Sequence, residues 1–183
     1  MATLNTLLKS GPLLIVFGGL PGTGKTSMAR DLAARMDAVY LRIDTIEQAI
    51  LNSPGVSQSI NEEGYRVAYA VAEDNLRLGR TVISDSVNPV QESRDAWMEV
   101  GRRTNSFFLE VEVVCSDTGS HRQRVESREA SIPGLPTWEE VLAREYEPWN
   151  RDHIVIDTAH KAVADCVTEL RTAIMIRMDN PKT

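Results

Sequence analysis

The segment Gly19-Leu20-Pro21-Gly22-Thr23-Gly24-Lys25-Thr26 limits what this chain can fold into more than any other feature. It is a complete G-x-x-x-x-G-K-[ST] pattern, directly after the apolar run Leu13 to Phe17 and directly before a stretch with helical periodicity. A strand, a glycine turn and a helix in that order make a phosphate cradle. Glycines at 19, 22 and 24 permit conformations closed to other residues, so successive N–H groups converge on phosphate oxygens at a helix N-terminus. Lys25 supplies a cation for the β- and γ-phosphates and Thr26 a hydroxyl for Mg²⁺, with Thr23 and Ser27 beside them. The segment therefore predicts a nucleoside triphosphate site. ATP is the expected nucleotide, because no Asn/Thr-Lys-x-Asp guanine-reading motif occurs.

Apolar runs bounded by turn residues recur at Leu13 to Phe17, Ala38 to Ile43, Thr81 to Ser84, Phe107 to Cys115 and Ile154 to Ile156. Between them, Lys25 to Met36, Glu62 to Leu78, Val90 to Arg103 and Lys161 to Arg177 place apolar residues three or four apart. Alternating strands and helices predict parallel pairing through right-handed crossovers. The expected fold is α/β: a three-layer sandwich around a five-stranded parallel sheet, in one domain over residues 1–183. Two stretches break the alternation. Leu51 to Asn61, with Asn52-Ser53-Pro54-Gly55, reads as a loop over the sheet edge. The stretch 117–149 carries a basic helix, the turn Pro133-Gly134-Leu135-Pro136, and Thr137 with Glu140 as a capping box entered through Trp138. Such an insertion before the last strand suits a mobile helical lid.

A formal charge of -6 works against wrapping a nucleic-acid backbone, although a short oligonucleotide end could enter a locally basic cleft. Cys115 and Cys166 are too few for a disulfide framework, and both read as reduced core thiols. The apolar run at 13–17 is far too short to span a bilayer, and no secretory leader pattern precedes it, so a cytoplasmic protein is expected.

Several motors, switches and kinases share such a loop, so the acidic residues must discriminate. Asp44 ends the second predicted strand, where a carboxylate can take a proton from a substrate hydroxyl; it also suits capping a helix beginning at Thr45. Asp85 ends the third, placed to hold the magnesium shell, to contact the acceptor, or simply to sit in the turn before Asn88-Pro89. Arg124 and Arg128, four apart with Arg122 on the same segment, can neutralise a transferring phosphoryl group or stay solvated. Arg144, on the following helix, can serve the same end or pair with a neighbouring Glu.

Together these features resemble the small P-loop kinases of the zeta-toxin, chloramphenicol phosphotransferase and polynucleotide kinase group, along nearly the whole chain. The resemblance rests on the glycine loop, Asp44, Val82-Ile83-Ser84-Asp85, His121 to Arg128, and Ile154-Val155-Ile156-Asp157-Thr158. It implies a phosphotransferase using ATP and Mg²⁺, with Asp44 as general base, Asp85 as a magnesium or substrate contact, and Arg124 and Arg128 as lid arginines. The segment Asp157-Thr158-Ala159 would lie beside the adenine. Relatives with phosphorylated or nucleic-acid acceptors often carry an arginine three residues after the base; here that residue is Glu47. With Glu62 and Glu63, Glu47 implies an acidic acceptor pocket for a neutral or cationic small molecule, unless all three are solvated. Tyr65, Tyr69 and Trp97 can line such a pocket or belong to the core. A polynucleotide or nucleotide-sugar kinase, and a regulatory protein that phosphorylates nothing, are the competing expectations.

Overall fold

A computed structural model of the chain describes residues 11–54, 62–129 and 135–180. Its first strand, β1 (Leu13–Gly18), is buried on both faces, and its side chains alternate between two separate cores. Leu13, Ile15 and Phe17 enter one core; Leu14 and Val16 enter the other. The chain continues through α1 (Lys25–Met36), β2 (Val39–Arg42), α2 (Ile43–Leu51), α3 (Glu63–Arg77), β3 (Val82–Asp85) and α4 (Gln91–Arg103). It closes with β4 (Phe107–Val114), α5 (Thr118–Glu129), α6 (Trp138–Ala143), β5 (Ile154–Asp157) and α7 (Val163–Asp179).

The sheet order is β2-β3-β1-β4-β5, with every pair parallel. Helices α1 and α7 cover one face through Met28, Leu32, Val167, Leu170 and Ile174, and α3 and α4 cover the other through Ala68, Ala72, Leu76, Trp97 and Val100. This is the expected three-layer sandwich. Each large apolar side chain buried in these layers contributes about 1.5–3 kcal/mol. Because β3 and β4 flank β1 on opposite sides, the chain leaves the central strand at the point where crossovers diverge, and a crevice opens there. The glycine loop occupies that crevice.

The local expectations largely agree with the structure, with instructive departures. Asp44 does not end β2, which stops at Arg42; Ile43 opens α2 without an intervening turn, so Asp44 lies in the first helical turn. Arg42 is the N-cap residue and no side chain caps this helix, so Asp44 is not its cap either. The predicted loop at 51–61 begins one residue late, since α2 runs to Leu51; residues 55–61 lie outside the described part. Arg144 follows α6 as its C-cap residue rather than lying on the helix. The capping box is present, with Thr137 accepting from the Glu140 amide and Glu140 from the Thr137 amide. Part of the turn at 133–136 falls outside the described residues. Cys166 is a core thiol, whereas Cys115 is only half-buried.

One feature was not anticipated. Strand β4 turns Glu110 and Glu112 toward the face that α3 and α4 cover, where the irregular segment 145–153 reaches them. Arg151 forks onto Glu110, while Tyr146 and His153 bond Glu112. Arg94 of α4, 1% exposed, ties this segment to the turn after β3. Its guanidinium donates to the carbonyls of Asn88, Pro89, Glu147 and Pro148 and lies 4.4 Å from the Trp149 ring centroid. Trp149 in turn fills the space beside Gly18, where a Cβ would come within 2.6 Å of its ring.

Candidate functional site

The glycine loop takes the shape its sequence requires. Gly22 and Gly24 have φ of 86° and 98°, and Gly24 is the left-handed N-cap of α1. A Cβ on Gly22 would also stand 2.5 Å from Val125, so α5 packs against the loop itself. Thr23 closes the turn by donating to the Leu20 carbonyl at 2.9 Å, and the Gly19 amide donates to Val87. The free N–H groups of the first turn of α1 thus face a fixed concavity. Lys25 is almost fully buried, and its ammonium reaches the Leu20 carbonyl at 3.4 Å. Burial pushes this lysine below its ordinary range, against the opposing pull of Asp85 and Asp44. A cation so desolvated gains strongly from an arriving polyphosphate.

Around it stand two cavities with one common wall. The first, about 690 Å³, is bounded by Gly24, Ser27, Arg124, Thr158 and Cys166. The second, about 670 Å³, is bounded by Asp44, Glu47, Gln48, Val87 and Arg144. Gly22, Lys25, Thr26, Arg42, Arg128 and Leu135 line both. A third cavity, about 470 Å³, continues from the second through Asp44, Glu47, Val87 and Arg144 toward Tyr65 and Tyr69.

The two lid arginines differ in their present roles. Arg124 donates to the Thr158 hydroxyl and carbonyl at 2.8 and 3.0 Å, and the Thr158 hydroxyl reaches the Thr23 carbonyl at 2.7 Å. The end of β5, the glycine loop and α5 are therefore linked at the first cavity. Arg128 lines the shared wall. Arg122 pairs with Glu126 on the exposed side of α5, the solvated role that its position also allowed. His121 bonds the Pro21 carbonyl at 2.7 Å and packs edge-on against Trp138, so α5 is docked onto the loop. At the end of β5, Asp157 accepts from Ser116 and from the Ala159 amide, which holds its carboxyl down at about 2.

Asp85 is 2% exposed and pairs in register with Phe17, beneath the glycine loop. Tyr40 donates to it at 2.7 Å, and burial, together with that bond, pushes the phenol well up. Asp44 is instead an open carboxylate on the second and third cavities. Between them stands Arg42, which sequence reasoning overlooked: it donates to Asp44 at 2.7 Å, and its Nε stands 3.8 Å from Asp85. A cation two residues before an acidic residue was the available signal. Glu47 and Glu62 face the third cavity, as do Tyr65 and Tyr69, whereas Trp97 is wholly core.

Residues 14–147 match the AAA domain family (AAA_33). The chain belongs to that family. No curated protein sequence matches this AAA domain. Solved structures match its fold: the Mycobacterium tuberculosis APS kinase CysC in complex with AMPPNP and APS is 17% identical, with a TM-score of 0.67, over 90% of this chain and 98% of that one. Chaetomium thermophilum Kti12 in complex with ADP-AlF3 is 22% identical, with a TM-score of 0.66, over 90% and 98%. A gluconokinase from Sinorhizobium meliloti is 17% identical, with a TM-score of 0.66, over 92% and 95%. These likenesses show the fold, a parallel α/β sandwich, and nothing finer. Among the described residues, no helix is long and apolar enough to cross a membrane.

Proposed function

We propose that the protein is an ATP- and Mg²⁺-dependent phosphotransferase that moves the γ-phosphate to a hydroxyl of a small molecule such as an antibiotic, sugar or nucleoside. One observation carries this reading: the phosphate-side cavity and its neighbour meet at a wall made of Lys25, Thr26, Arg42 and Arg128. A switch that only holds nucleotide needs one cavity. A transferase needs two that meet where phosphorus changes partners.

In this scheme, the adenine and ribose lie along the first cavity, with Arg124 and Thr158 at its edge, and Gly19, Gly22, Thr23, Gly24 and Ser27 shape the phosphate cradle. Lys25 and Arg128 face the charge that spreads over the transferring group. Asp44, open to the second cavity, takes the acceptor proton, and Arg42 holds its carboxylate in place. Glu47 contacts the acceptor. The Thr26 hydroxyl and the buried Asp85 are the hard oxygen donors that Mg²⁺ takes; among the described residues no cluster of three His, Cys, Asp or Glu competes for it. So sparse a protein donor set suits an ion held largely by water and phosphate oxygens, where it would neutralise phosphate charge. Segment 117–149 serves as the lid of this single domain.

Transfer of labelled γ-phosphate to a panel of free hydroxyl compounds, run beside an oligonucleotide 5′ end, tests the proposal. Labelling of a small molecule and not of the oligonucleotide is expected. Slow hydrolysis that no acceptor stimulates would instead favour a nucleotide-dependent regulator.

A further inference from the structure

The third cavity has a composition of its own. Asp44, Glu47, Glu62 and Glu92 line it against only Arg66 and Arg144, both solvent-exposed. Glu47 is the half-buried member, and its carboxyl is raised by burial first and then by Asp44, with Arg144 opposing. Two carboxylates that repel each other from one face of α2 are relieved by a cation beside them.

The opposite wall is aromatic. The Tyr65 and Tyr69 ring centroids lie 6.0 Å apart, and Tyr69 is braced edge-on against the buried Trp97 at 4.6 Å. Rigid aromatic faces beside carboxylates are the combination that holds an ammonium group.

A second, independent observation concerns Ser86. It is 3% exposed, lines this cavity, and its Oγ has no hydrogen-bond partner of good geometry. The neighbouring Tyr65 hydroxyl accepts from the Asn88 amide at 3.2 Å and also interacts with the Ser86 hydroxyl. Sharing the Tyr65 hydroxyl, the Ser86 hydroxyl keeps capacity for a polar ligand group at this wall.

We infer that the third cavity is the recognition subsite for an acceptor that carries a protonated amine, an amino sugar or amino alcohol in chemical class. Its ammonium group sits among Glu47, Tyr65 and Tyr69, a polar substituent meets Ser86, and its reacting hydroxyl points back past Asp44 into the second cavity. This inference rests on the phosphotransferase reading above.

The test uses three hexose derivatives that differ in charge: glucosamine, N-acetylglucosamine and gluconate. Labelled phosphate transfer to each gives kcat/KM, and the aromatic NMR resonances of Tyr65 and Tyr69 report binding without chemistry. Glucosamine is expected to exceed the other two at least tenfold, and Glu47→Gln to shrink that ratio to threefold or less, with retained ATP binding verifying the variant's fold. Equal or better use of gluconate or N-acetylglucosamine, or an unchanged ratio in Glu47→Gln, overturns the inference and leaves the phosphotransferase standing. Glucosamine-specific shifts without transfer to anything support the subsite and overturn the phosphotransferase. Neither shifts nor preferential transfer overturns the subsite.

Discussion

The two sides of the shared wall are built by different rules. On the nucleotide side, the work is done by main-chain N–H groups, one lysine and one hydroxyl, positioned by glycines whose φ values no other residue adopts easily. On the side proposed for the acceptor, the lining comes from side chains of α2, α3, the turn after β3 and the segment after α6, brought together only by packing. The first is written in eight consecutive residues; the second is assembled from four distant stretches. A backbone site keeps its geometry under most substitutions, whereas a side-chain site changes its ligand with each one.

If that contrast holds, substitutions across the wall should differ in kind. The largest effect is expected at Lys25. Lys25→Ala removes the buried cation and should lower phosphate transfer by about 10³-fold or more, measured at saturating ATP, while also weakening ATP binding. Arg128→Ala should come next, with a loss of about 10²–10³-fold in kcat and little change in ATP affinity, because the proposed scheme sets it toward the transferring group rather than the whole nucleotide.

The third prediction concerns what keeps the acceptor side in place. Arg94→Leu would strand four carbonyl acceptors and the faces of Tyr146 and Trp149, so unfolding by urea should show a loss of about 3 kcal/mol. The glycine loop would feel this through Val87, whose carbonyl accepts from the Gly19 amide. If the variant keeps full stability, the acceptor wall does not depend on that latch.

The smallest effect is expected at Asp157. Its carboxyl is held at about 2 by bonds from Ser116 and Ala159, below the value of an unfolded chain. The stability it contributes is therefore fully present above about pH 4 and is lost as pH falls toward 2. Asp157→Asn should flatten that part of the stability profile by less than about 1 kcal/mol. Glu47 has the opposite sign: its raised carboxyl favours the fold when protonated, so stability falls as pH rises from the ordinary glutamate value through the raised one.

Legibility followed the same division. The strands, the sandwich and the phosphate cradle were readable because periodicity and a contiguous motif encode them locally. The start of α2 at Ile43 was not, because Arg42 enters the helix straight from an extended strand without a capping side chain to announce it. Arg94 and Arg42 escaped notice for a different reason. Each looks like an ordinary surface arginine in its own segment, and only the fold shows that one is buried among carbonyls and the other stands between Asp44 and Asp85. Glu110 and Glu112 alternate with valines as solvent-facing residues would, yet segment 145–153 covers them.

The central claim is that phosphate crosses a wall whose far side is faced by Asp44. The most direct measurement is the parallel determination of kcat and ATP affinity for Asp44→Asn against the unaltered protein, using any acceptor that the panel supplies. A fall of about 10²–10⁴-fold in kcat with ATP affinity within twofold is the predicted result. Unchanged turnover, or a loss confined to ATP binding, would contradict the account.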